Sequence, residues 1–373
     1  MIKPSLRRGW RDRQTVRYGV TPAHSVLFGP LDSATESFLS LLDGTRGLPA
    51  LRDAAAALGL GRGAADRLAR QLAQVGVLDD ATADRSGAAQ VTEALRPDLA
   101  SLSLLHPDPG AGLRTLLARR HAWVQIRGAG RVGAATAVTL AQAGVGRVEV
   151  VDGGEVAPGD VSPGGVRAEQ AGRRRDAAAR AAVHAAVPWS RAPRADRQEG
   201  ARLVVVAPRD GLAAYAPDPA AVRPVLESGT PHLYAGVVEG TGFAGPLVLP
   251  GVTGCAECLL RGRTQREPGW PLLVGQWRNA RRGGVPACDA ALAALVAGFT
   301  ASLALSHLDG TPGSPPGIRT EVVLPELSVS RIPVDPHPEC ACGAAGAGTS
   351  GVSPAGPAPG GGQQGRSRTA VTA

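Results

Sequence analysis

The chain reads as a two-domain protein whose larger part is α/β, and three stretches of sequence predict this. The first is Ala122 to Asp152, AWVQIRGAGRVGAATAVTLAQAGVGRVEVVD, an apolar strand, a glycine-rich turn, an alanine-rich helix and a second strand ending in an acid. The second is a run of short amphipathic segments before residue 82. The third is four cysteines in two close pairs, Cys255 with Cys258 and Cys340 with Cys342.

In chain order, Gln14 to Val20 and Val26 to Phe28 are expected strands. Ser33-Ala-Thr-Glu36 has capping-box form and opens a helix through Leu42. Leu48 to Leu58 is a second helix stopped by Gly59. Ala64 to Val75 is a third, with Leu68, Leu72 and Val75 at helical spacing. Gly76 to Asp79 reads as a short return strand. Two strands, three helices and a closing strand make residues 1–82 a small winged-helix-like α+β domain. Such a module serves recognition, or packing and dimerisation, and both uses stay open. Residues 83–112, polar and broken by Pro97, Pro107, Pro109 and Gly110, read as a linker with one strand at Leu102 to Leu105.

The core domain spans 113–345. Trp123 to Ile126 is its first strand, followed by Gly128, Gly130 and Gly133 in G-x-G-x-x-G spacing. The first glycine permits a tight turn, the second lets backbone approach a phosphate, and the third lets the helix sit close to the strand. The helix, Ala134 to Ala143, offers its N-terminal N–H groups to that phosphate and ends at Gly144. Asp152 closes the strand Arg147 to Val151, where a carboxylate accepts ribose hydroxyls. These parts describe a Rossmann-type nucleotide unit. Leu203 to Val206 and Leu233 to Val238 are further strands, and 346–373, poor in large apolar residues, reads as a disordered tail.

A net charge of +8 suggests nucleic acid, but the arginines are scattered, Lys3 is the only lysine, and only 3% of residues are aromatic. Stacking platforms are therefore few, and no nucleic-acid partner is expected. No signal peptide is visible, and Ala290 to Leu305 falls short of the ~20 residues that span a bilayer, so it reads as a buried helix. No membrane association and a cytoplasmic location are expected, with cysteines reduced or metal-bound.

Two thiol pairs far apart in sequence suit a structural tetrahedral Zn2+. C-x-C is the less usual spacing, so His337 could replace one ligand; unliganded thiols or a disulfide are the alternatives. Cys288, at the start of the alanine-rich helix and near Arg281 and Arg282, is either a small apolar residue or a nucleophile whose thiol those charges activate.

Together these features resemble the ThiF/MoeB family, relatives of the ubiquitin-activating enzymes, from about Arg114 to Cys342. The resemblance implies ATP and Mg2+ binding and adenylation of the C-terminal carboxylate of a small ubiquitin-fold protein or peptide. It implies structural zinc and a homodimer as well. The family places an Asn, then an Arg, then a Lys after the Asp152-type acid, and an Asp after the third strand. Here Asp160, Pro163 and Arg175 stand at the first three places, and Asp210 follows the strand within Ala207-Pro-Arg-Asp210. The implied catalytic residues are thus Arg175 and Asp210. The N-terminal module loosely resembles peptide-recognition domains fused to ThiF-like proteins. That supports an alternative: a catalytically degenerate protein that binds a leader peptide or partner for a separate modifying enzyme. An NAD-dependent oxidoreductase leaves the cysteine pairs unexplained. Trp270 and Trp277, in WPLLVGQW, pack either on a peptide or in the core. His121, His184 and His232 are read as boundary, surface and strand-start residues.

Overall fold

The computed structural model describes residues 1–82, 87, 90–189, 200–280, 285–311, 315–346 and the backbone of 368–371. The chain divides into two units, residues 1–118 with 354–373, and residues 119–353.

In the first unit β1 (Arg8–Trp10), β2 (Val16–Tyr18) and β3 (Val26–Gly29) form an antiparallel meander. Helices α1 (Ser33–Ser40), α2 (Leu48–Ala57) and α3 (Ala64–Gln74) close over a core containing Tyr18, Phe28, Phe38, Leu39 and Leu72. The cap of α1 is Asp32 rather than Ser33: its carboxylate accepts the Thr35 N–H at 2.7 Å, a charge-assisted bond that a hydroxyl does not match. The return segment at Gly76 to Asp79 makes one bridge, Leu78 to Ile2.

The stretch read as a linker with a strand is helical instead, with α4 at Arg96–Leu105 and α5 at Ala111–Arg119. Pro97 lies in the first turn of α4, where a missing N–H costs no helical bond, so it starts the element it was expected to break. The buried Lys3 ammonium donates to the carbonyls of Ser103 (2.5 Å) and His106 (2.8 Å). Asp79 accepts the Ser103 hydroxyl and the Gly110 N–H, so these polar groups sew α4 to the module. Burial lowers the Lys3 pKa, and Asp79 opposes that shift. Within the segment expected to be disordered, Arg368–Val371 forms β11, parallel to β3; residues 347–367, 372 and 373 lie outside the described residues.

The second unit holds a seven-stranded sheet of order β10-β9-β8-β7-β6-β4-β5. Strands β4 (Trp123–Arg127), β5 (Arg147–Val151), β6 (Leu203–Val206) and β7 (His232–Val238) run parallel. Strands β8 (Thr241–Val248), β9 (Ile318–Val323) and β10 (Ser328–Pro333) extend the sheet as an antiparallel meander. Side chains alternate along β7. Leu233, Ala235 and Val237 join the core beneath α6 (Arg131–Gln142), α7 (Arg175–Ala186) and α12 (Ala290–Asp309). Tyr234 points to the other face, where it meets α8 (Leu212–Tyr215), α9 (Pro219–Glu227) and α10 (Ala256–Arg266). The short α11 is Trp270–Asn279.

Helix α12 is 20 residues and, among the described residues, the one helix long and apolar enough to cross a bilayer by length and composition. In this fold it packs along α6, β7 and β8.

Candidate functional site

Strand order makes the site. From β4 the sheet grows one way to β5 and the other way to β6, and a crevice opens outside the carboxyl ends of strands at such a switch point. The loop after β4 and the loop after β6 both end there. A Cβ on Gly128 (φ +114°) would lie 2.1 Å from the Ala207 carbonyl oxygen, and one on Gly133 2.2 Å from the Gly128 oxygen. Backbone therefore packs on backbone, and only glycine fits. Gly130 caps α6, and the N–H groups of its first turn have no acceptor within the helix.

The expected residues Gly128, Gly130, Gly133, Asp152 and Arg175 come together, with Asp160, which stands where the resemblance places an Asn, and with Arg209, which sequence reasoning did not assign to the site. Asp152 accepts N–H bonds from Ala129 and Gly154, both at 2.8 Å, and from Arg175 Nε at 2.9 Å. A carboxylate has about four acceptor positions, so roughly one is left for a ligand hydroxyl. Arg175 also donates to the Glu155 carbonyl and lies 3.7 Å from Asp160. It rests directly over Gly154, where a Cβ would be 2.0 Å from Nη2. The buried Asp160 accepts Arg209 Nε at 2.5 Å and the Ala157 N–H at 2.9 Å.

Arg209 lies against the glycine loop: its Cα would be 2.9 Å from a Cβ at Gly130. Its side chain is 37% exposed, and among the described residues its Nη groups make no hydrogen bond to protein. Two carboxylates and two guanidiniums thus stand in the crevice in mutual pairs. The only sequence signal for Arg209 was its place after the third strand, three residues past Val206.

Asp210, next to it, accepts the Leu212 N–H at 3.1 Å at the start of α8. Pro163 sits in the loop beside Gly165 and Val166 and brings no charge. Arg131, the variable residue inside the glycine motif, donates to the carbonyls of Gly159 (2.6 Å) and Cys288 (2.7 Å). The Cys288 thiol is raised by burial, with Arg131 opposing, so the environment does not activate it; Arg281 and Arg282 lie outside the described residues. His232 begins β7, at the end of that strand away from the crevice.

The cysteine pairs converge on the other face of the sheet. Cys255 caps α10, Cys258 is in its first turn, and Cys340 and Cys342 arrive on the segment after β10. All four sulfurs lie within 4.8 Å of one another, with separations of 3.6 to 3.8 Å for three pairs. A tetrahedron with a metal–sulfur bond of about 2.3 Å has sulfurs about 3.8 Å apart, so donor set and spacing fit Zn2+. The shared hydrogen bond lowers the Cys258 thiol pKa and raises that of Cys255, so without a cation the cluster does not ionise as a set. His337, the alternative ligand, is engaged elsewhere: Nδ1 accepts the Glu339 N–H, and Nε2 lies 2.7 Å from the Gln265 amide.

Trp270 is buried and Trp277 is 45% exposed; they meet edge to face. Beside them Tyr215, Arg263, Trp270 and Arg278 line a cleft of about 230 Å³, with Arg263 stacked on both Tyr215 and Trp270.

The ThiF family model matches residues 109–344. No curated protein matches the sequence. Among solved structures the chain is similar to Escherichia coli MccB bound to succinimide, at a TM-score of 0.68 and 15% identity, covering 92% of this chain and 98% of that one. It is similar to the same protein with ATP, at 0.66, 15%, 92% and 98%. PaaA matches at 0.62 and 15% identity, over 89% of this chain and 99% of that one. At such identities the likeness is one of fold. The family match spans more than half of the sequence and includes the glycine loop and both cysteine pairs: the chain belongs to the ThiF family.

Proposed function

We propose that this chain is an ATP- and Mg2+-dependent adenylyltransferase that activates the C-terminal carboxylate of a peptide or small ubiquitin-fold protein. The observation that carries the reading is the glycine loop at the switch point, with Arg175 and Arg209 poised on carboxylates beside it. Adenylation expels pyrophosphate, whose developing negative charge needs cations fixed in place before the reaction. Arg209 reaches the loop itself, and arginine binds phosphate in a bidentate fashion, so it takes the part that Pro163 cannot. Arg175 is the second cation. Asp152 holds the ribose through its remaining acceptor position. Asp210, a hard oxygen donor beside Arg209, is the proposed Mg2+ ligand; the metal would supply charge neutralisation at the phosphates.

MccB has been solved with ATP and in complex with N-formylated MccA, which agrees with a nucleotide site and a partner in a protein of this fold. The four thiols hold structural Zn2+ in this reading. A second copy covers the outer face of α12, where Ala294, Leu295, Gly298 and Phe299 are exposed and no charged side chain occurs.

A second reading has its own observation. The carboxylates a nucleotide would use are already paired with arginines, as in a protein that keeps the fold and binds a partner for a separate modifying enzyme. Calorimetric titration of Mg·ATP into the wild type and Asp152→Ala separates the two. The enzyme reading expects binding that weakens about 100-fold on losing charged hydrogen bonds worth roughly 2.7 kcal/mol. Absence of binding in both proteins would leave the scaffold.

A further inference from the structure

The cleft enclosed by α8, α10 and α11 shares no lining residue with the glycine-loop crevice. Leucine and valine side chains and Trp270 make its walls, and its charged groups are Asp218, Arg263 and Arg278. Asp218 is committed as the cap of α9, accepting the Ala220 N–H at 2.9 Å. Arg263 stacks on Tyr215 and Trp270, 4.8 and 4.9 Å from the ring centres, and donates one N–H to the Tyr215 hydroxyl at 3.0 Å. Arg278 donates one to the Ala216 carbonyl at 2.6 Å. A guanidinium has five N–H donors, so each arginine keeps several, and among the described residues neither makes an ion pair. The buried Arg319 packs 4.8 Å from the centre of the Tyr215 ring, and its Nη1 has no hydrogen-bond partner among the described residues. Burial and the nearby Arg263 push its pKa down to about 10, and Glu321 opposes them. Three guanidiniums therefore gather at one tyrosine, and their charge exceeds that of the carboxylates beside them.

We propose that this cleft is a second ligand site, taking a carboxylate carried on a small apolar body. Arg263 is held flat by two rings before any ligand arrives, and Arg278 offers a second fork from α11; a guanidinium matches a carboxylate in bidentate fashion. The cleft volume of about 230 Å³ lies below the roughly 300 Å³ at which pockets for drug-sized ligands begin. A nucleotide is therefore too large, and one acidic side chain or a small aryl acid is the right size. The apolar walls select against a bare inorganic anion, which would leave them facing water. A glutamyl side chain of a peptide and a free aryl acid share the required chemistry. Either would lie against α8, whose first N–H is held by Asp210.

The test uses the full chain, with phenylacetate and its neutral isostere phenylacetamide titrated by saturation-transfer NMR. The acid is expected to bind at least tenfold more tightly than the amide, since only the acid gains charge-assisted hydrogen bonds. Arg263→Gln and Arg278→Gln should each weaken the acid at least tenfold, with melting curves verifying the fold. Arg278 makes a single hydrogen bond to protein, so its variant gives the same answer if Arg263→Gln does not fold. Arg209→Ala, in the crevice, should leave the acid's affinity in place. Displacement of phenylacetate by the peptide acetyl-Gly-Glu-Gly-amide assigns the site to a side chain of a peptide, and failure to displace it assigns the site to a free acid. Equal affinity for acid and amide, binding that survives the glutamine variants, binding lost in Arg209→Ala, or no binding of phenylacetate and peptide alike overturns the proposal. None of these readouts involves nucleotide, so the outcome is independent of the adenylation reading.

Discussion

At the cysteine cluster, four thiol sulfurs lie within 4.8 Å of one another, and three pairs of them approach to 3.6–3.8 Å. At the glycine loop, two carboxylates already have an arginine beside them: Arg175 on Asp152, Arg209 on Asp160. The first site is assembled around a place for an ion, and crowding of thiols is offset only when a cation arrives. The second is neutral as it stands, so a nucleotide has to compete with internal ion pairs before it gains its own. Metal binding should therefore be tied to folding, and nucleotide binding to rearrangement of two arginines.

The largest effect that separates the two sites is on stability. Chelation, or Cys258→Ser, should lower the melting temperature by on the order of 10 °C, because binding free energy at a structural zinc site is folding free energy. Mg·ATP affinity measured well below the new midpoint should be unchanged. A chelator that leaves the melting curve in place would remove the cluster's metal from the account.

Arg209→Ala comes next and tests whether the crevice is closed by a catalytic cation or by a plug. Loss of one preorganised cation should reduce kcat by about 10²–10³, with ATP affinity moving less than tenfold. Tighter ATP binding with kcat unchanged would make Arg209 an obstruction over Gly130.

The contrast also explains what could be read in advance. The elements β4 and β5 were legible within a residue, and α6 apart from its first three residues, because their signals are local: Gly128, Gly130 and Gly133 at the turn, Gly144 (φ +94°) after the helix, apolar runs between. The four cysteines were legible as a set because their two spacings are distinctive, and the geometry placed His337 outside it. The Asp160–Arg209 pair was not, because its members are 49 residues apart and meet only through strand order. Asp210 drew attention as the acid after β6, yet its neighbour faces the loop. Helix α4 was missed for a simpler reason: Pro97 breaks a helix interior but suits a first turn, and sequence alone did not say where the turn began.

The smallest effect supplies the background for acid titration of the cluster. Burial lowers the His307 pKa, and Arg202 adds to the shift. The unfolded residue takes its proton near pH 6.5, the folded one only at lower pH. Between those values the unfolded state binds more protons, so stability falls as pH drops below about 6.5. His307→Gln should remove this part of the loss, seen as a smaller decrease in melting temperature between pH 7 and 5. Whatever acid sensitivity remains includes metal release from thiolates, which a chelated sample should lack.

The central claim is that the crevice adenylates a carboxylate, and ATP–pyrophosphate exchange tests it most directly. Purified protein is assayed with Mg2+, labelled pyrophosphate and peptides ending in a free carboxylate, with the same peptides amidated at the C-terminus as the comparison. The account predicts exchange that requires the free carboxylate and disappears in Asp152→Ala. Mg·ATP binding without exchange across the carboxylate peptides would contradict it, and would make the nucleotide site a ligand site of a partner-binding protein.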